Sequence, residues 1–202
     1  HALFTYGANI GASDCRVPVT TFTWHPTRPP VVVDWWKAPE PPQRSALTTV
    51  ARWRNRGKDV VWQGECWQWS KHVQFERFLD IPSESTLPLE VAVSGIDPES
   101  LEELRDLGWR MVELEWLNDP DSYRSYIRES LGEFSVAKDQ YVTPRSGWFS
   151  DRTVCYLAAG RPVVVQETGF SSSVPSGEGL LSFGTREDAL RAIASVGQDY
   201  AQ

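Results

Sequence analysis

From Leu47 onward the sequence alternates between short apolar runs and longer amphipathic stretches, and this alternation restricts the chain to few folds. The apolar runs predict strands over LTTVARW, LEVAVS, WRMVEL, EFSVAK and RPVVVQE, and the other stretches predict helices over SKHVQFERFLDIP, DPESLEELRDLG, DPDSYRSYIRESLG, SDRTVCYLAAG and TREDALRAIASVG. Repeated strand–helix–strand units build a mainly parallel sheet with helices on both faces. We therefore predict one Rossmann-like α/β domain over residues 47–202.

Local signals support these assignments. Asp97 followed by Pro98 is a favourable helix start, and the same Asp-Pro pair recurs at Asp119. The run VVVQ is continuously apolar, as expected of a central parallel strand. In open α/β sheets ligands bind at the carboxyl ends of the strands, so the residues that follow the strands are the first candidates for a site.

Residues 1–46 differ from the remainder of the chain. ALFTYG predicts a short strand, ANIGASD a loop and VPVTTFTW a second strand, while VVVDWW is either a strand or a docked linker between the proline-rich stretches HPTRPP and KAPEPPQR. Prolines exclude these stretches from helix interiors. We expect that the segment lacks a core of its own. Because the chain starts with His1 and ALFTYG follows at once, we expect a fragment or a chain trimmed at its N-terminus.

Composition excludes several classes of protein. A net charge of -7 argues against a nucleic-acid-binding protein, and the apolar runs are too short to span a membrane. The three cysteines and three histidines lack zinc-site spacing, so we predict reduced thiols, no metal and a cytoplasmic protein. Most of the 10 tryptophans are expected in the core or in a cleft wall.

The stretch TPRSGWFSDR has the properties of an anion site. Ser150 can cap the helix that follows, and the unpaired N–H groups and the dipole of a helix N-terminus favour phosphate. Arg145 and Arg152 add positive charge, Lys138 ends the strand EFSVAK, and Gly147 allows close approach of a ligand. Taken alone, the stretch is more simply an ordinary capped helix with surface arginines. Arg152 is expected to lie at the surface, so that its replacement by alanine leaves folding nearly intact.

The segment YLAAGRPVVVQETGF, followed by GEGLLSF and a last helix, resembles the donor half of GT-B glycosyltransferases. FTYGANIG, EFSVAK and RSGWFSDRTVCYLAAGRPVVVQETGF are similar, more narrowly, to a bacterial group-1-like set of these proteins. The resemblance implies that residues 1–46 end an N-terminal acceptor domain and form the interdomain linker, and that residues 47–202 bind a nucleotide diphosphate sugar. The implied reaction transfers the sugar to an unknown acceptor without a cofactor or an essential metal, and the missing acceptor domain would supply any general base.

The resemblance also extends the candidate site. A basic residue after the first strand of the domain, Arg52 or Arg54, and Lys71 near the next helix would neutralise the donor diphosphate, although solvated surface charge explains them equally well. Trp67, Trp69 and Trp148 could stack on a nucleobase or a sugar, but packing in the core or in a cleft wall is the simpler expectation. The full set of predicted nucleotide-sugar-binding residues is Arg52, Lys71, Lys138, Arg145, Ser146, Gly147, Trp148, Ser150, Asp151, Arg152, Glu167, Thr168, Gly169 and Phe170.

One departure from the family leaves the function open. Many retaining members carry two glutamates seven residues apart, and the matching positions here are Gly147 and Cys155. Donor type and stereochemistry therefore do not carry over, and a non-catalytic nucleotide- or sugar-binding module of the same fold is the alternative. A dinucleotide-dependent enzyme is disfavoured, because YGANIG lacks the spacing of a Gly-x-Gly-x-x-Gly turn.

Overall fold

The computed structural model describes residues 2–19, 21–38, 41–112 and 117–199. Their strands, in chain order, are β1 (Leu3–Thr5), β2 (Trp24–Pro26), β3 (Leu47–Arg52), β4 (Val60–Trp62), β5 (Glu65–Trp67), β6 (Leu89–Ser94), β7 (Arg110–Val112), β8 (Gly132–Ser135), β9 (Val163–Gln166) and β10 (Leu180–Phe183). The α-helices are α1 (His72–Phe75), α2 (Pro98–Asp106), α3 (Pro120–Glu129), α4 (Asp139–Val142), α5 (Asp151–Ala158) and α6 (Arg186–Asp199).

Six strands form one sheet in the order β10-β9-β8-β3-β6-β7, and every neighbouring pair is parallel. This is the doubly wound Rossmann order, in which the chain builds outward from a central strand in one direction and then in the other. The strand order reverses between β3 and β8. The predicted Rossmann-like α/β fold is confirmed.

The sheet separates two layers of apolar side chains, as alternation along a strand requires. In β9, Val164 packs into a core with residues of β3, β6, α1 and α6, whereas Val163 and Val165 pack with Ile127 of α3 and Tyr156 of α5. Both faces of the sheet are therefore covered, which is why the central strands carry almost no exposed residue.

The helix starts follow the predicted chemistry. The Asp97 carboxylate accepts a hydrogen bond from the amide of Ser100, and the Asp119 carboxylate accepts from two amides of α3. Ser150 caps α5 by accepting from the amide of Arg152 at 3.2 Å. Each side chain satisfies an amide that the helix itself leaves unpaired.

Several details differ from the sequence-based assignments. The predicted helix over SKHVQFERFLDIP is divided into α1 and two short 3-10 helices, Glu76–Phe78 and Ile81–Ser83. β8 ends at Ser135, so Lys138 lies beyond the strand, directly before the unpredicted helix α4. The unpredicted hairpin β4–β5 turns at Gln63 and Gly64, whose φ angles of 51° and 81° are those of a type I′ turn. The end of the predicted strand WRMVEL, at Glu113 and Leu114, lies outside the described residues.

The first part of the chain packs on the α/β domain. β1 and β2 form a separate parallel pair, and only Trp24 of the predicted strand VPVTTFTW belongs to β2. VVVDWW contains a short 3-10 helix, Val33–Trp36, that contacts α5, with Trp36 packed against the core below α5. In the described parts of the chain, no helix combines the length and apolar character that a membrane span needs.

Candidate functional site

The candidate site is a cleft where the strand order reverses. β3 pairs with β6 over six residues but with β8 only at Leu47↔Gly132 and Thr48↔Glu133, so β3 and β8 separate toward their carboxyl ends. The cleft has a cavity volume of about 190 Å³ and is open to solvent. Its lining residues are Lys71, Ser135, Val136, Ala137, Lys138, Tyr141, Trp148, Phe149, Ser150, Asp151, Arg152, Thr153, Val165, Gln166 and Thr168.

Arg152 fills the gap between the separating strands. Its Nε donates to the fully buried Glu133 carboxylate at 2.7 Å, and its two terminal nitrogens donate to the Val50 carbonyl of β3 and to the Ser135 hydroxyl of β8. Burial works to lower the pKa of Arg152, but the Glu133 carboxylate outweighs it and raises the pKa. Arg152 is thus a largely buried strand-bridging residue, and the expectation of a surface arginine is wrong.

Lys71 and Lys138 are the cations of the cleft without a carboxylate partner among the described residues. Lys71 is half-buried directly before α1, and burial together with the charge of Arg152 holds its pKa well below the ordinary value. The Nζ of Lys138 lies 3.2 Å from the centre of the Trp69 ring, and burial together with Lys58 lowers its pKa to about 8. Both ammonium groups lose solvation, and neither forms an ion pair among the described residues, although the charges of Glu133 and Asp151 partly counter the effect at Lys71. This environment favours an anionic ligand.

Asp139 ties together the segments that carry the two lysines. Its carboxylate accepts from the Gln74 side chain of α1 at 2.8 Å, from the Thr143 hydroxyl at 2.6 Å and from the Gln68 amide at 2.9 Å. Gln74 in turn accepts at 2.9 Å from the side chain of Gln166 at the end of β9. This buried network fixes the position of α1 relative to α4, and with it the separation of Lys71 from Lys138.

The N-terminus of α5 borders the same cleft, but two backbone amides in the loop before it donate hydrogen bonds within the protein. The amide of Gly147 donates to the Thr168 carbonyl at 2.7 Å, and the amide of Trp148 donates to the Ser146 hydroxyl at 3.3 Å. The amides of Gly147 and Trp148 therefore donate within the protein and do not face a ligand. The amides of Ser150 and Asp151 remain candidates.

Aromatic rings form one wall of the cleft. Tyr141 and Trp148 are stacked, with ring centres 4.6 Å apart and planes 12° apart, and Tyr6 contacts the edge of the pair from the N-terminal segment. Trp69 meets Tyr141 edge-on under the Lys138 ammonium. Trp67 is buried in contrast, so only its core interpretation agrees with the structure.

The structure brings together seven of the predicted site residues in the cleft lining, which are Lys71, Lys138, Trp148, Ser150, Asp151, Arg152 and Thr168. The other seven lie outside the lining. Arg52 is exposed at the end of β3, and Arg145 pairs with Asp14 at 2.9 Å. Phe170 is buried against Phe149, with ring centres 5.1 Å apart, as part of the core.

The remaining four of these residues shape the turns behind the cleft. Glu167 accepts from the Gly169 amide, and Ser146 donates its hydroxyl to the Tyr141 carbonyl at 3.3 Å. Gly147 and Gly169 have φ angles of 78° and 96°, which favour glycine. None of the four lines the cleft, because each is turned into contacts within the protein.

Several residues of the site were not predicted from the sequence. Tyr141, Ser135 and Gln166 line the cleft, and Asp139 organises it from beneath. Ser135 and Gln166 are the last residues of β8 and β9, the position that the fold itself marks as functional. Over the described ranges, no group of three or more His, Cys, Asp and Glu residues is arranged to hold a metal ion.

Comparison with known proteins bears on the fold. No protein-family model matches the sequence, and no curated protein matches it. Among solved structures, the chain is similar to TarM, with a TM-score of 0.51 and 9% identity over 81% of this chain and 30% of TarM. The chain has a GT-B glycosyltransferase-like fold. At this identity the similarity defines the fold alone.

A second similar structure is AviGT4, a glycosyltransferase involved in avilamycin A biosynthesis. The TM-score is 0.49 and the identity 14%, over 85% of this chain and 55% of AviGT4. The chain thus spans about a third of the first of these proteins and about half of the second. The similarity to TarM confirms the expected GT-B-like fold, whereas the roles of the cleft residues stay predictions.

Proposed function

We propose that residues 47–202 are the donor-binding domain of a glycosyltransferase, which binds a nucleotide diphosphate sugar in the cleft between β3 and β8. The observation that carries the proposal is the pair Lys71 and Lys138 beside the N-terminus of α5, two desolvated cations that form no ion pair in the described part of the chain. Transfer of a sugar from such a donor releases a nucleoside diphosphate. Catalysis therefore requires stabilisation of the developing negative charge, which lysines and helix amides supply.

Each part of the cleft has a role in this proposal. Lys71, Lys138 and the amides of Ser150 and Asp151 would contact the diphosphate, and the stacked Tyr141–Trp148 pair would flank the nucleoside or the sugar. Residues 1–46 would end an N-terminal acceptor domain and form the interdomain linker, and a general base for an unknown acceptor would lie in that domain. We propose no metal or cofactor, and we propose a cytoplasmic location because all three cysteines are free thiols.

The test is a thermal-shift and calorimetric screen of UDP-, GDP- and TDP-sugars. A donor at about 100 times its dissociation constant should stabilise the protein by about 2.7 kcal/mol. Lys71→Met and Lys138→Met should each weaken binding at least about ten-fold, because each removes a charge-assisted hydrogen bond. Lys37→Met is the matched control, since Lys37 is exposed, pairs with Asp34 and does not line the cleft. The absence of binding by any donor, or wild-type affinity in both lysine variants, would refute the proposal.

A non-catalytic module of the same fold is the second candidate. Gly147 and Cys155 occupy the positions at which many retaining enzymes of this fold carry glutamates, and the backbone of Asn9 packs directly on Gly147. Burial and the nearby Asp151 carboxylate raise the pKa of Cys155 to about 11, so the thiol is uncharged at neutral pH. Release of nucleoside diphosphate by the full-length protein would favour an enzyme, and donor binding without release would favour the module.

A further inference from the structure

Asn9 joins the N-terminal segment to both turns that rim the cleft. The residue is 3% exposed, although it lies in a turn that precedes the α/β domain. Its side-chain Nδ2 donates to the Arg145 carbonyl at 2.9 Å and to the Asp14 carboxylate at 3.0 Å, and its Oδ1 accepts from the Ser172 hydroxyl at 3.3 Å. A single carboxamide thus bonds to the turn before α5 and to the turn after β9.

The backbone around Asn9 reinforces these contacts. The amide of Asn9 donates to the Ser146 carbonyl at 3.2 Å, and the amide of Ala8 donates to the Gly147 carbonyl at 3.3 Å. Farther on, the Arg16 amide donates to the Pro144 carbonyl at 2.8 Å. The N-terminal turn therefore runs along the whole loop that leads into α5.

Two glycines make room for Asn9. A Cβ atom on Gly147 would overlap the Asn9 backbone and lie 2.8 Å from the Asn9 Cβ, and a Cβ atom on Gly169 would lie 2.8 Å from Nδ2. Both distances are shorter than real Cβ contacts. The two rim turns thus meet around the Asn9 side chain, and their glycines serve this contact within the protein.

We propose that Asn9 is a positioning residue of the cleft: it holds the rim turns 145–149 and 168–172 in place and thereby fixes Trp148, Ser150 and Thr168 in the cleft wall. Asn9 itself does not line the cleft. The consequence for ligand affinity rests on the proposed function, whereas the effect on the rim turns does not. A residue from outside the α/β domain thus completes the site.

Hydrogen–deuterium exchange of the unliganded chain tests the effect on the turns. Asn9→Ala should speed exchange in peptides covering 145–149 and 168–172 at least about ten-fold. The reason is that these turns would open more easily while the remainder of the chain stays folded. Peptides of β10 and α6 serve as the internal reference, because global destabilisation would accelerate them equally. Asn118→Ala is the matched control, since Asn118 is exposed.

Asn9→Asp separates hydrogen bonding from packing. The carboxylate has nearly the same shape but cannot donate to the Arg145 carbonyl and faces the Asp14 carboxylate. It should therefore loosen the rim turns as alanine does. Wild-type exchange of both turns in either Asn9 variant, or acceleration that extends equally to β10 and α6, would overturn the proposal.

A second test measures ligand affinity by calorimetry with UDP, GDP and inorganic pyrophosphate. If the wild type binds one of these probes, both Asn9 variants should bind it at least about ten-fold more weakly, because their site is no longer ordered before binding. Unchanged affinity in the variants would overturn the positioning role. If the wild type binds none of them, the proposed function fails, and the exchange result alone decides whether Asn9 holds the turns.

Discussion

The Arg152 guanidinium lies 2.7 Å from the carboxylate of Glu133, whose side chain is completely buried, and joins two strands that have ceased to pair. Removal of either partner leaves a buried charge without its counter-ion. We expect Arg152→Met and Glu133→Leu each to lower the free energy of unfolding by about 3–5 kcal/mol, measured by urea denaturation. The double variant should lose less than the sum of the two.

Arg124→Met is the matched control for this pair. Arg124 makes an ion pair with Asp121 on the surface of α3, and the Asp121 side chain is 87% exposed. Exposed pairs contribute about 0–1 kcal/mol, so this variant should unfold almost as the wild type does. A cost below about 1 kcal/mol for Arg152→Met would contradict a buried structural role.

Lys138 gives the cleft a dependence on pH. Its pKa is lowered to about 8, and an anion binds best to the charged form. Affinity for pyrophosphate or a nucleoside diphosphate should therefore fall as the pH rises through about 8, and binding near that pH should take up protons. Calorimetry in buffers of different ionisation enthalpy measures both effects.

The Lys138→Arg variant is the control for the pH effect, because a guanidinium stays charged over this range. It should bind the same probe without the fall in affinity around pH 8. Lys58, Lys71 and Asp151 also lie near enough to influence this region. The same pH profile in wild type and Lys138→Arg would show that Lys138 is not responsible.

Asp139→Asn should disturb the network beneath the cleft. The carboxylate accepts three hydrogen bonds, and an amide group turns at least one of these contacts into donor against donor. We expect a loss of about 1.5–3 kcal/mol in unfolding free energy, together with weaker anion binding as α1 shifts relative to α4. Asp106→Asn on the exposed end of α2 should change neither quantity. Unchanged stability and affinity in Asp139→Asn would exclude this role.

Gly132→Ala should destabilise the first residue of β8. An added Cβ would overlap the Pro162 carbonyl and lie 2.9 Å from a methyl group of Leu47, so we expect a cost of about 1–3 kcal/mol. In Gly197→Ala, within α6, the added Cβ makes ordinary contacts of 3.5 Å with Leu87. That variant should gain up to about 1 kcal/mol from helix propensity. Thermal denaturation should therefore show a lower stability for Gly132→Ala and an equal or higher stability for Gly197→Ala. A Gly132→Ala protein as stable as the wild type would argue against the close packing.

The sequence predicted the fold more completely than the site. Alternation of apolar runs and helical stretches, with the Asp-Pro starts at Asp97 and Asp119, is a local signal, and it was sufficient for the parallel sheet. The gap between β3 and β8 forms only when segments that are distant in sequence come together. Arg152 is buried because it fills that gap, whereas the sequence around Arg152 showed only a charged residue in the first turn of a helix.

Asn9 and Asp139 were missed for a similar reason. Asn9 stands in a stretch that reads as a flexible loop, and its bond to the Arg145 carbonyl spans 136 positions of sequence. Asp139 follows a predicted strand that in fact ends at Ser135, so a wrong strand end concealed a short helix. The glycines at 147 and 169 were visible, but the side chain that they accommodate was not.

The short pairing of β3 with β8 also affects how the chain acquires its structure. β3 meets β6 early in the sequence, but it must wait for β8 until two further helices and β7 have been made. Closing the longer loop costs more chain entropy, so we expect the half β3-β6-β7 to assemble first and the half β8-β9-β10 to dock onto it afterward. Until then one edge of β3 stays unpaired, and a nascent chain at this stage is open to chaperone binding and to aggregation through that edge. The cleft comes into existence only at the docking step.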